Sequence, residues 1–329
     1  MPNSLGRFKA VLGAGWILLG LAAVVYARMK SIPVWIAVPV AAAFLMEFPF
    51  YLLAGFDAPR QWLEKQGNVR VAWALTLSGI LPWLAYSVPT GEFHLLPLAG
   101  LLIITGAVSF WYIALPPGAL TDAAFLVIPA AVMVEKVFDQ IYASPIPKVQ
   151  LGILGQVMLI RTAAMAILLV RKNAGGEPVD VEFRFWPNSR EWLVGVRYFA
   201  MLIPFAGLAY WGLGLVKFRD HPYNVLQAAG TFFGILWVVA ISEEFFFRGL
   251  IQQWIGKWTS SPVAALAIAS ILFGSVHLGF NHRFPNWRFA LVAAIAGVFY
   301  GLAWRKTKSI QASMVSHALT VTLWRVFFQ

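Results

Sequence analysis

Glu243 and Glu244 stand side by side in a run, Ser242 to Gly249, whose other members up to Arg248 are a serine and three phenylalanines. Two adjacent carboxylates in apolar surroundings repel one another unless a cation relieves one of them. Arg248 follows Glu244 by four residues, on the same helical face and in the favourable order of acid before base. Glu243 lies about 100° around the helix from Glu244 and is left free to act as a base. Further along, His277 follows Phe273 by one turn on a short apolar stretch, and His317 stands midway along the last one. A carboxylate and two imidazoles on three apolar segments are the parts needed to make hydroxide from water and to stabilise developing negative charge. They invite the proposal that the three segments converge on a watered cavity within hydrocarbon.

The same set, Glu243, His277 and His317, is also a ligand set for hydrolytic zinc with water in the fourth position. The HExxH spacing that puts two ligands and a base on one helix does not occur. The chemistry is therefore read without a cofactor, with zinc as its competitor. The chain has no cysteine, which excludes disulfides, thiolate metal sites and a cysteine nucleophile.

Groups so placed have to be carried by membrane helices. Of the 329 residues 60% are hydrophobic and 12% charged, too few charges to keep an ordinary soluble surface in water. Apolar runs long enough to cross roughly 30 Å of hydrocarbon recur along the whole length. Roughly eleven spans are expected, at about 10–28, 33–55, 71–88, 94–116, 123–142, 149–170, 191–216, 224–255, 261–280, 287–304 and 309–328. The fold class is all-α, a polytopic transmembrane helix bundle. The span from Asn224 exceeds what a bilayer requires and is expected to tilt, break or project. A polar stretch, 173–190, divides an N-terminal block, 1–172, from a C-terminal bundle, 191–329, and its alternating part, Val179 to Trp186, reads as a hairpin or a surface segment.

Basic residues are dispersed among the loops, so the formal net charge of +11 suits an anionic lipid surface rather than a nucleic acid. Their distribution favours a cytoplasmic N-terminus, and the first apolar run, Ala10 to Tyr26, reads as a retained span. The lack of a eukaryotic targeting signal favours a bacterial inner membrane. Other ionisable groups fall inside the expected spans: Glu47, Glu135, Lys136, Asp139, Arg161, Arg197 and Arg325. Interfacial placement, snorkelling or pairing accounts for most of them. Glu47, beside Pro49, lacks a motif that would assign it a role.

The acidic pair with Arg248, then Phe273 with His277, then His317 after Gly297, Gly301, Thr307 and Ser309, resembles the pattern of the CAAX-protease and bacteriocin-processing family, which includes the Ras-converting CAAX endopeptidase. The resemblance covers about residues 224–328. It implies an all-helical membrane bundle and a glutamate-type intramembrane endopeptidase acting on a peptide or lipid-modified protein substrate. Glu243 with help from His277 would activate water, His317 would stabilise the oxyanion, and Glu244 with Arg248 would support the helix, with Phe273 beside His277. Many members carry Asn or Asp four residues after the last histidine, where this chain has Val321. That departure keeps a second reading open, a transporter or a catalytically silent membrane binding protein on the same bundle. Substrate identity and oligomeric state are not legible in the sequence.

Overall fold

The computed structural model describes residues 5–147, 149–177, 179, 181, 183–280 and 284–328. They form helices and, apart from one isolated bridge between Phe218 and Phe328, no strand pairing. Backbone polar groups in lipid must be satisfied within their own segment, which is why apolar runs of this kind become helices. The chain divides into two compact units, Met1–Pro178 and Val179–Gln329.

The first unit contains α1 (Leu5–Met29), α2 (Val34–Ala54), the short α3 (Asp57–Glu64), α4 (Asn68–Thr90), α5 (Leu95–Ala114), α6 (Ala119–Val134), α7 (Val137–Ile141) and α8 (Gly152–Arg171). The single span expected at 123–142 is two helices. Lys136 takes a left-handed conformation, φ 52°, which ends α6, and the charges of Glu135, Lys136 and Asp139 stay exposed at the break. Arg161 on α8 and Glu47 on α2 are both buried and form a two-pronged ion pair, Nε to Oε1 2.5 Å and Nη2 to Oε2 3.1 Å. Two further donors of Arg161 go to Ser78 Oγ and O, each at 2.9 Å. A second buried pair joins Arg171 to Asp122 at 2.8 and 2.7 Å, with the Tyr112 hydroxyl donating to Asp122 at 2.9 Å. These pairs occupy the groups whose isolation in hydrocarbon would cost most.

The second unit contains α9 (Ser189–Gly212), α10 (Val225–Thr259), α11 (Pro262–Ser275), α12 (Trp287–Thr307) and α13 (Ile310–Phe327). Among the described residues eight helices, α1, α2, α4, α5, α8, α9, α10 and α12, are long and apolar enough to cross a membrane, while α6 and α11 are apolar but shorter. The chain is an integral membrane protein. At 35 residues α10 is roughly 50 Å long, more than the hydrocarbon needs. Side-chain caps start several helices. Asn188 and Glu191 exchange hydrogen bonds at the head of α9, Asn224 and Gln227 do so at α10, and Ser261 precedes Pro262 at α11.

Part of the polar stretch is buried rather than lying on the surface. Residues 180 and 182 lie outside the described residues, and none of the others from Val179 to Trp186 is in a strand. Phe183 and Phe185 are buried, and the Phe183 ring packs edge-on against Phe245 of α10 at 5.3 Å. Its period-two alternation therefore aims aromatic rings at a helix rather than at a partner strand. Glu191 ties this segment down by receiving Arg184 and the Ser309 hydroxyl, each at 2.6 Å. The core beside it joins Leu202, Phe247, Phe273, Ala293, Ala296, Phe299 and Tyr300.

Candidate active site

α10 changes its winding around the acidic pair. Ile235–Ala240 is π-helical, Ile241–Glu244 is α-helical, and Phe245–Gln252 is π-helical again. A π turn holds more residues than an α turn and so rotates the side chains that follow, a feature frequent at functional sites. Arg248 reaches Glu244 as the spacing suggests, Nε to Oε2 3.1 Å, but the two atoms are not aligned for a hydrogen bond. Its Nη2 donates instead to Gly297 O on α12 at 2.9 Å. The guanidinium lies over the rings of Phe273, Tyr300 and Phe247, 4.7, 5.5 and 5.8 Å from their centroids. Arg248 and Glu244 are both fully buried, 0% exposed, and each is tolerable there because the other neutralises it.

The two glutamates have different surroundings. The Glu244 side chain is closed off, and its Oε1 lies 2.8 Å from His317 Nδ1 on α13. With Glu244 as a carboxylate, Nδ1 is the donor of that contact. The Glu243 side chain keeps 31% of its exposure, and its Oε2 lies 3.9 Å from the other ring nitrogen of His317, Nε2. That Oε2 atom is itself buried and accepts no hydrogen bond from the protein. The His317 ring stacks on Tyr300, centroids 4.8 Å apart and planes 10° apart, and meets Phe273 edge-on at 5.8 Å.

His277 stands just beyond the end of α11. Here Gly274 O, not Phe273 O, receives the His277 amide, at 3.0 Å. The Phe273 carbonyl is then a helix-end acceptor, and His277 Nδ1 lies 2.7 Å from it. The four-residue spacing between Phe273 and His277 lets the imidazole cap its own helix. Nδ1 is thereby the donor and Nε2 the open acceptor. The Phe273 ring contacts His277 at 4.9 Å and His317 at 5.8 Å.

The structure thus gathers Glu243, Glu244, Arg248, Phe273 and His317 into one cluster and attaches His277 through Phe273. Among the described residues, no three His, Asp or Glu side chains are grouped so as to hold a metal ion. Sequence reasoning missed Tyr300, whose only signal is its place between Gly297 and Gly301. Those glycines seat α12. A Cβ on Gly301 would lie 2.4 Å from Leu266 of α11 and 2.7 Å from Gln252 Oε1 of α10, and one on Gly297 would lie 3.2 Å from Ser270. Close helix packing within the chain uses them up.

Fold and site together define a polytopic helical membrane protein with a buried carboxylate and imidazole cluster where α10, α11, α12 and α13 meet. Residues 225–323 match the family model of the Rce1-like proteins, described as Type II CAAX prenyl endopeptidase Rce1-like. This match contains every residue of the cluster, and that part of the chain is similar to the CAAX-protease and bacteriocin-processing family. The chain is also similar to a protein of Bacillus subtilis (strain 168) described as Uncharacterized protein YyaK, 29% identical over 134 residues, covering 35% of this chain and 44% of that protein. It thus spans less than half the length of that relative. No solved structure matches it.

Proposed function

We propose that this protein is an intramembrane endopeptidase in which Glu243 activates a water molecule for attack on a peptide bond of a membrane-associated or lipid-modified substrate. One observation carries the reading: the buried, unpartnered Oε2 of Glu243 faces Nε2 of His317 across 3.9 Å. That separation is too long for a direct hydrogen bond and short enough for one water oxygen, about 2.8 Å from each, to span. The water oxygen adds to the carbonyl carbon while its proton passes to Glu243, and the carbonyl oxygen becomes an oxyanion that accepts from His317 Nε2 when the imidazole carries a proton there as well as on Nδ1. Collapse breaks the carbon to nitrogen bond, and the proton held by Glu243 goes to the leaving amine. His277, with Nε2 open, is the second group able to take up or return a proton. Peptide chemistry as the class is supported by the family match over residues 225–323.

The test is a cleavage assay on a pool of membrane peptides with the protein purified in detergent. The native chain is compared with Glu243→Gln, and a chelator is added in parallel. Cleavage lost in the variant and kept with chelator supports the glutamate reading, while loss in both moves the chemistry to zinc. No cleavage by folded native protein favours the transporter or silent binding reading, which Val321 at the usual amide position also supports.

A further inference from the structure

We infer that Glu244 is a positioning residue for His317, fixing its tautomer and its ring orientation so that Nε2 is the atom presented to the reaction centre. The catalytic consequence rests on the peptidase reading; the placement of the proton does not. Glu244 and His317 are 73 residues apart in sequence and meet at 2.8 Å, with both side chains buried, 0% and 4% exposed. Around the imidazole are Tyr300 on one face and the edge contact of Phe273, rings that offer Nδ1 no comparable acceptor. Glu244 is therefore what holds a proton on Nδ1, and the Arg248 guanidinium lies 3.1 Å from its other oxygen. With Nδ1 so occupied, Nε2 is left to exchange a proton or a hydrogen bond on the side of Glu243, 3.9 Å away. A carboxylate that orients an imidazole through its far nitrogen is a general way to set which ring atom reacts. The adjacent carboxylates then divide the work, Glu243 toward the reacting water and Glu244 toward the histidine.

Glutamine at position 244 separates this role from a merely structural one. Arg248 carries only donors and draws the amide oxygen, so the amide NH₂ turns toward His317 and Nδ1 has to accept. The proton is then carried on Nε2. The experiment is nitrogen-15 spectroscopy of the full chain in detergent with labelled histidine, on native protein and Glu244→Gln, with His317→Gln assigning the signal. Native His317 is expected to carry a proton on Nδ1, and Glu244→Gln to show Nδ1 bare and Nε2 protonated. On a peptide that the native chain cleaves, kcat of Glu244→Gln is expected to fall roughly 100-fold with KM little changed. A native spectrum with Nδ1 bare overturns the inference without any variant, so it stays testable if Glu244→Gln does not fold. A folded Glu244→Gln whose His317 signals match native also overturns it. The expected spectra with no cleavage by native protein leave the positioning intact and sink the peptidase reading.

Discussion

Glu243 and Glu244 are neighbours in the chain with opposite fates, the first 31% exposed in its side chain with a buried, unpartnered oxygen, the second wholly enclosed between Arg248 and His317. The 100° turn that separates adjacent helical residues suffices for this. One carboxylate is consumed by structure, and the other keeps a buried oxygen without a hydrogen-bond partner among the described residues.

Glu243→Gln is expected to cut cleavage by roughly 100-fold or more, the usual scale for loss of a general base, while leaving the melting temperature within a few degrees of native. Steady-state assay and thermal unfolding in the same detergent check both halves. A large loss of stability would make Glu243 a structural residue instead.

Arg248→Met leaves Glu244 buried without its cation. Breaking a buried pair by removing one partner costs about 3–5 kcal/mol, so the variant should unfold well below native or fail to accumulate. Near-native unfolding would mean that the contacts of Arg248 with Gly297 and the aromatic rings contribute little.

Val321→Asn places an amide one turn beyond His317, where it can share the developing oxyanion. An added donor is expected to raise kcat about 10-fold at nearly unchanged KM. A fall in kcat, with the protein folded, would count against His317 as the oxyanion partner.

In the first unit, Glu47→Gln and Arg161→Met should each destabilise by about 3–5 kcal/mol, whereas the double variant should recover much of that loss. The comparison is a double-mutant cycle of thermal unfolding. Additive losses would show that the two buried side chains act independently despite their 2.5 Å contact.

Phe183→Ala removes a fully buried ring, 0% exposed, from what reads in sequence as a polar stretch. A loss of about 3–5 kcal/mol is expected. A negligible effect would return the segment to the surface.

The helical membrane class was legible in the residues because hydropathy over a span follows from composition alone, and lipid leaves the backbone few alternatives. The site was legible where its chemistry is local. The Glu244 to Arg248 spacing and the Phe273 to His277 spacing each act within a turn or two of one helix, and the structure uses both. The freedom of Glu243 likewise follows from helical angle.

Contacts between distant segments were decided only in three dimensions. Nothing near His317 in sequence announces that its Nδ1 will meet Glu244, or that Tyr300 will lie flat against its ring. Those contacts depend on how closely α12 and α13 approach α10, which glycines and π-helical turns set by sub-ångström tolerances. Asp122, just outside the span expected at 123–142, is buried against Arg171, a pairing of residues 49 positions apart. The alternation of Val179 to Trp186 left a hairpin and a surface segment open, and packing of the buried Phe183 on Phe245 was not legible in it. Composition and short-range spacing therefore determined the membrane fold and the parts of the site, while the choice of which ring nitrogen faces which carboxylate belongs to tertiary packing, because a hydrogen bond depends on distances that no local pattern encodes.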